Sequence, residues 1–196
     1  MPPAEVIAWL RDGVLLVTLG VAVYTDLAQG RVYNWCTLPA IGLGLLLNYV
    51  AGAASPAQGN AVVGILGGPL ISGLAGLALA VGIFGIAYLL HVLGGGDVKL
   101  MAAVGAIEGW RFLLNAAFFT ACAGALVAIG VLVWRGRLAQ GLKSSVEALV
   151  TPRRFKKRRD ALPDDAPELA TIPYTWAIAA GTIVTWLLTA GPRGGL

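Results

Sequence analysis

The stretch LLHVLGGGDVKLMAAVGA, residues 89–106, sets three glycines, an aspartate and a lysine inside a largely apolar run. One interpretation makes Asp97 a helix N-cap, because a carboxylate at that position accepts backbone N–H bonds. Capping accounts for the aspartate but not for the three consecutive glycines, Gly94, Gly95 and Gly96. Glycine has no side-chain bulk, so a second backbone can lie against this part of the chain. The stretch therefore predicts the start of a helix and a place where another polypeptide approaches it.

The composition predicts an integral membrane protein. Of the 196 residues, 58% are hydrophobic and only 12% are charged, and the mean hydropathy is +0.79. A soluble domain carries about 25% charged residues, so this chain has too few polar groups to cover a soluble surface. No positive residue precedes Arg11, so a cleavable signal peptide is not expected.

Most of the positive charge lies in one loop, residues 135–159, although the net charge is only +4. In a membrane protein such a loop is a topology signal, since Lys and Arg remain on the cytoplasmic side, and we expect no nucleic-acid partner. Cys36 and Cys122 form no CxxC pair, and His91 is the only histidine. We therefore expect neither a metal site nor another cofactor.

Apolar runs predict an all-α polytopic bundle of about six transmembrane helices, one of them long or kinked and one short. The runs cover about 13–27, 35–50, 61–90, 97–108, 112–134 and 173–190. The third would reach about 45 Å as a straight helix, against a hydrocarbon core of about 30 Å. It must therefore tilt, kink or protrude, and Pro69 can break or bend it. The fourth reaches only about 18 Å, so we expect it to lie beside protein rather than lipid.

Small residues recur in the third run at three- or four-residue steps. That spacing lets helix backbones approach closely, which is a packing feature rather than a chemical one. The glycines concerned are Gly64, Gly68, Gly73, Gly76, Gly82 and Gly85.

Six crossings place two aspartates in the same leaflet. Eleven basic residues fall on the side that holds the 27–34, 91–99 and 135–172 loops, and three fall on the other side. The first side is therefore cytoplasmic, and both termini face outward. Asp26 ends the first span on the cytoplasmic side, and Asp97 lies there again after two more crossings.

Two such carboxylates suit one chemistry. Asp26 alone could equally mark the end of a span, although ionisable groups at membrane depth are functional candidates. Carboxyl groups about 3 Å apart share one proton, so one can act as a base on water while the other protonates an amide carbonyl oxygen. Lys99 is two residues from Asp97 and does not face it on a helix. We expect Lys99 to reach lipid headgroups or an acidic partner.

Three segments together resemble a known family. GGGDVKL followed by MAAVGAIEGW resembles the GxGD segment of type IV prepilin peptidases and archaeal preflagellin peptidases, which are membrane aspartic proteases. YTDLAQGRVYNWCTLP, residues 24–39, resembles the segment of the family that holds its other aspartate, and IPYTWAIAAG, residues 172–181, resembles its last span. The three occur in the expected order, so the resemblance covers most of the chain.

The resemblance implies roles for individual residues. Asp26 and Asp97 would be the catalytic pair. Tyr33 stands where the family usually has proline, which leaves the shape of the loop open. The other motif or substrate-binding positions would be Gly94, Gly96, Lys99 and Asn34.

The resemblance also implies a substrate, namely a prepilin with a short basic leader and a hydrophobic helix, cut near the cytoplasmic membrane face. Larger relatives carry a cytoplasmic domain with paired cysteines and also N-methylate the new terminus. Here only residues 27–34 separate the first two spans, so we expect a peptidase without methylation, similar to the tight-adherence (Flp-type) pilus peptidases. We expect one membrane-embedded domain, 1–196, in the inner membrane, with the basic run 153–159 against anionic headgroups.

Two other functions remain open at this point. A small transporter or ion-conducting protein also uses membrane carboxylates, but the two halves show no internal repeat, and the aspartates are predicted at one face rather than at the midplane. A non-catalytic assembly factor would use the glycine stripes as docking surfaces. The sequence does not indicate the oligomeric state.

Overall fold

The fold is all-helical in the part of the chain that the structure describes. In this computed structural model those residues are 3–54, 68–90, 93–134 and 174–190. They contain six helices and no strand, which confirms the predicted fold class. The helices are α1 (Pro3–Gln29), α2 (Asn34–Ala54), α3 (Pro69–Leu89), α4 (Gly95–Glu108), α5 (Trp110–Trp134) and α6 (Tyr174–Ala190). Residues 61–67 of the third apolar run, His91 and the basic loop 135–172 lie outside the described residues.

Four helices are long and apolar enough to cross a membrane. They are Glu5–Gln29, Asn34–Ala54, Pro69–Leu89 and Trp110–Val127, and the apolar segment Tyr174–Thr189 is shorter. Pro69 occupies the first turn of α3, where its missing N–H has no intrahelical partner to lose. From Pro69 onward, α3 has 21 residues, or about 31 Å, which matches a hydrocarbon core of about 30 Å.

The chain divides into two compact units. The first comprises Met1–Ala121 with Pro173–Leu196, and the second comprises Cys122–Ile172. Of the second unit, the structure describes residues 122–134, which form the C-terminal part of α5. The predicted motif segments belong to the first unit, apart from Ile172 at the start of the last one.

Helix α4 is the centre of the first unit. It contacts α1, α2, α3 and α6, and every residue from Leu100 to Ile107 is buried. Its 14 residues reach about 21 Å, too short for a lipid-exposed span. As the sequence predicts, this short helix is enclosed by protein.

Glycines allow α3 and α4 to cross with their backbones in contact. A Cβ atom added at Gly76 would lie 2.3 Å from the carbonyl oxygen of Gly105, and one added at Gly105 would lie 2.6 Å from that of Gly76. A Cβ atom added at Gly73 would lie 2.8 Å from the carbonyl oxygen of Ala106. Gly82 and Gly85 have no atom within 4 Å of an added Cβ, so only some of the glycine stripe serves this contact.

Polar side chains tie the C-terminal end of α4 to its neighbours. Asn48 of α2 is buried and donates to the carbonyl oxygens of Ala106 and Ile107, at 2.9 and 3.1 Å. Arg11, in the N-terminal part of α1, forms an ion pair with Glu108 at 2.7 Å. Since the start of α1 meets the end of α4, the two helices run antiparallel, and the end of α1 lies beside the start of α4.

The α3–α4 crossing predicts a difference between two glycines on one helix. We expect Gly76→Ala to destabilise the fold by about 1–3 kcal/mol, because the new methyl group meets backbone rather than a movable side chain. Gly82→Ala is the matched control, and it should be neutral or stabilising by roughly 0.5–1 kcal/mol through helix propensity. Thermal unfolding in detergent measures both, and equal Tm values for the two variants would contradict the close crossing.

Candidate active site

Asp26 and Asp97 lie at the same end of the antiparallel α1–α4 pair. Asp26 is in the last turn of α1, and Asp97 is in the first turn of α4. Both are half-buried, and their carboxyl groups are close enough for the charges to interact. Asp26 Oδ2 is buried and has no hydrogen-bonding partner among the described residues.

The position of Asp26 follows from the way α1 ends. Gly30 has a φ of +64°, the left-handed conformation that glycine adopts readily after a helix. Its N–H donates to the Asp26 carbonyl oxygen at 2.7 Å. This turn places Asp26 one helical turn before the chain leaves α1 for the four-residue loop 30–33.

Asp97 is held at both carboxyl oxygens. The N-cap of α4 is Gly94, and Asp97 is the third helical residue. The interpretation of Asp97 as the N-cap is therefore wrong. The Gly94 N–H donates to Asp97 Oδ2 at 3.3 Å, and the Thr175 hydroxyl of α6 donates to Oδ1 at 3.3 Å. The positive end of the α4 dipole also favours a negative charge at this turn.

The glycines before Asp97 are used mainly by the chain itself. A Cβ at Gly96 would lie 3.0 Å from the Val32 Cβ in the α1–α2 loop, and one at Gly95 would lie 3.4 Å from the Tyr88 ring of α3. At Gly94 an added Cβ would meet only the Asp97 carboxyl group. The sequence predicts room for another polypeptide, but at two of the three glycines the neighbour is this protein's own loop or helix.

Lys99 reaches the start of α2 rather than an acidic side chain. Its Nζ donates to Asn34 Oδ1 at 2.7 Å, and both residues are exposed. The contact joins the α1–α2 connection to α4 beside the two aspartates. All six residues singled out from the sequence, Asp26, Asp97, Gly94, Gly96, Lys99 and Asn34, therefore lie at one end of the bundle.

Tyr33, which the resemblance sets at a position where proline is expected, fits this loop. Its carbonyl oxygen accepts the N–H groups of Cys36 and Thr37, at 3.2 and 3.4 Å, as α2 begins. Its hydroxyl donates to the Gln29 side chain at the end of α1. Proline could accept the two backbone bonds but could not make the side-chain bond.

Two residues of α6 belong to the site and were not identified from the sequence. Thr175 is buried and contacts Asp97 directly, and Tyr174 is close enough to interact with the Asp97 charge. The only available signal was the segment IPYTWAIAAG, which indicated a last span but no role for either side chain. Among the described ranges, no group of three or more His, Cys, Asp or Glu side chains could hold a metal ion.

Comparison with known sequences decides the family. A family model described as "type IV leader peptidase family" matches residues 13–129. The match covers more than half of the chain and includes both aspartates. The chain belongs to this leader peptidase family. Family membership and the four long apolar helices indicate a multi-pass protein of the inner membrane.

Similar curated proteins carry the name prepilin leader peptidase/N-methyltransferase. One from Aeromonas hydrophila is 33% identical over 65% of this chain and 42% of its own length. One from Burkholderia pseudomallei strain 1026b is 34% identical over 58% of this chain and 34% of its own length. One from Pectobacterium carotovorum is 35% identical over 63% of this chain and 40% of its own length. The chain thus spans well under half the length of these leader peptidases. No solved structure matches the chain.

The contact between Gly96 and Val32 predicts a cross-link within this leader peptidase family member. A disulfide needs Cβ atoms about 3.5–4.5 Å apart, so Val32→Cys with Gly96→Cys should oxidise after a small shift of the loop. The pair is made in a background in which Cys36 and Cys122 are alanine. Loss of both thiols from maleimide labelling measures the bond.

The matched control for this cross-link is Val32→Cys with Gly82→Cys, since an added Cβ at Gly82 has no neighbour. That pair should remain fully labelled when maleimide is added after the protein is unfolded in SDS, which makes every free thiol accessible. Full labelling of the Val32→Cys/Gly96→Cys pair under the same oxidant would show that the loop does not lie beside the glycines.

Proposed function

We propose that this chain is an aspartic endopeptidase that removes the leader from type IV prepilins. The observation that carries the proposal is that Asp26 and Asp97 lie at the same end of antiparallel α1 and α4, close enough for their charges to interact. Membership in the leader peptidase family supports cleavage of a prepilin.

The mechanism follows from two carboxyl groups that share a proton. The ionised group accepts a proton from water as the water oxygen attacks the scissile carbonyl carbon. The protonated group gives its proton to the carbonyl oxygen, which becomes a hydroxyl of the tetrahedral intermediate. When the C–N bond breaks, the carboxyl group that took the water proton returns it to the leaving nitrogen. The shared proton goes back to its donor, so the pair ends as it began.

The unpartnered oxygen of Asp26 supports a division of labour. Asp97 has a donor on each oxygen, whereas Asp26 Oδ2 has none among the described residues. A carboxylate has about four lone-pair sites, so Asp97 can still meet its partner while the two donors hold it. The Asp26 carboxyl group is therefore held by fewer donors than that of Asp97, and we propose that Asp26 is the one that reorients to contact water and substrate.

The substrate we propose has a short basic leader followed by a hydrophobic helix, as in Flp-type prepilins. The α1–α2 connection has only four residues, 30–33, which leaves no room for a further domain between the helices that frame the site. We therefore propose leader cleavage without N-methylation, although the relatives' names include both activities.

The membrane arrangement is part of the proposal. The charge bias of the loops favours a cytoplasmic active site and outward-facing termini. We further propose that residues 1–196 form one membrane-embedded peptidase domain. The basic run 153–159 would lie against anionic lipid headgroups, with each charge contributing about 1 kcal/mol near the surface.

Replacement of either aspartate tests the chemistry. We expect Asp26→Asn and Asp97→Asn each to reduce cleavage by at least about 100-fold, because asparagine cannot exchange the proton that the mechanism moves. The purified protein is incubated with a recombinant Flp-type prepilin, and the product is weighed by mass spectrometry. The same spectrum should show an unmethylated new N-terminus, even with a methyl donor present.

Glu5→Gln is the control, since Glu5 is an exposed carboxylate on the same helix as Asp26, and it should cleave at the wild-type rate. Normal cleavage by either aspartate variant would rule out the pair. Ion flux in proteoliposomes that depends on Asp97, without cleavage, would favour the transporter instead.

A further inference from the structure

The Thr175 hydroxyl has a different kind of hydrogen-bond acceptor from five other threonine hydroxyls in the described part of the chain. Thr18, Thr25, Thr37, Thr185 and Thr189 donate to carbonyl oxygens three or four residues earlier in the chain. Thr175 donates instead to a carboxyl oxygen 78 residues away, on another helix. It is only 1% exposed, so its hydroxyl is removed from water and needs a partner within the protein.

Thr175 is the second residue of α6, which begins at Tyr174. The hydroxyl is directed across to α4, and α6 itself contacts both α1 and α4, the helices that carry the two aspartates.

We propose that Thr175 is a positioning residue that fixes the Asp97 carboxyl group toward Asp26. This inference rests on the proposed function. Two donors from different elements, the Gly94 N–H and the Thr175 hydroxyl, take one oxygen each, so the carboxyl plane cannot rotate freely. A carboxyl group so held keeps the geometry that proton transfer needs, and small misplacements of such groups cost large factors in rate.

Other groups around Asp97 are accounted for. Asp26 faces it from α1, Tyr174 from α6, and the Tyr88 ring of α3 lies against Gly95. Lys99, on the same helix, is engaged with Asn34. Among the described residues, the Thr175 hydroxyl is the side-chain group that donates a hydrogen bond to the Asp97 carboxyl group.

The test uses a pair of substitutions that separate the hydroxyl from the packing. Thr175→Val keeps the shape and removes the donor, and we expect kcat on the recombinant prepilin to fall by about 10- to 100-fold with KM changed less than about twofold. Thr175→Ser keeps the donor and should restore most of kcat. A residue that only packs would give the reverse order, with valine active and serine impaired, and this would overturn the proposal.

Thr182→Val is the matched control on the same helix. Thr182 is fully buried, and its hydroxyl has no hydrogen-bonding partner within the described ranges, so its loss should leave kcat within about twofold. Equal kcat values for Thr175→Val and wild type, with Asp97→Asn inactive, would overturn the positioning role and leave the proposed function intact.

A second readout does not depend on cleavage. Thr175→Val should lower the Tm of the wild-type protein and should have little effect in an Asp97→Ala background, because the contact is already lost there. Thr182→Val should shift Tm equally in both backgrounds. If the wild type does not cleave the prepilin, the proposed function fails, and this cycle still decides whether Thr175 holds Asp97. Equal shifts for Thr175→Val in both backgrounds would overturn the contact.

Discussion

The structure depends on one short helix that cannot face lipid. Helix α4 is about one third shorter than the hydrocarbon core, and its residues from Leu100 to Ile107 are all buried. Polar groups at both of its ends have hydrogen-bonding or ionic partners, most of them on neighbouring helices. At one end Asn48 covers the last carbonyl oxygens, and Glu108 meets Arg11. At the other end Asp97 gathers donors from Gly94 and Thr175. The candidate site lies at one of these two ends.

Both ends of α4 interact with α1. The Arg11–Glu108 pair joins α1 and α4 at one end, and the Asp26 and Asp97 charges interact at the other end. The bulk of α1 is apolar and would tolerate several axial positions, since lipid and apolar side chains are equivalent neighbours. Glycines at the α3–α4 crossing allow the backbones of these two helices to touch. Register in this bundle thus comes from a few polar and small residues rather than from its large apolar surface.

The sequence predicted the features of this arrangement that depend on composition and on the number of membrane crossings. The shortage of charge indicated a membrane protein, and counting crossings placed Asp26 and Asp97 on one side. The enclosure of α4 followed from its length. The partners of individual side chains were not predictable, because Thr175 lies 78 residues from Asp97 and nothing local distinguishes it from Thr182. Gly76 and Gly82 likewise have the same kind of surroundings in sequence, yet only Gly76 touches another backbone. The role of Asp97 as third residue rather than N-cap turned on a shift of the helix start by three residues, which periodicity does not resolve.

The order of the helices along the chain has a consequence for biogenesis. A nascent polypeptide that has emerged only through α5 already carries both aspartates, together with the Gly94 amide and the Lys99–Asn34 link. It still lacks α6, which contacts α1 and α4 and brings the Thr175 hydroxyl to the carboxyl group. Because α6 follows residues 135–172 in the chain, the Thr175 hydroxyl can reach Asp97 only after synthesis has passed residue 174. Until then the Asp97 carboxyl group has only one of its two hydrogen-bond donors available, the Gly94 amide.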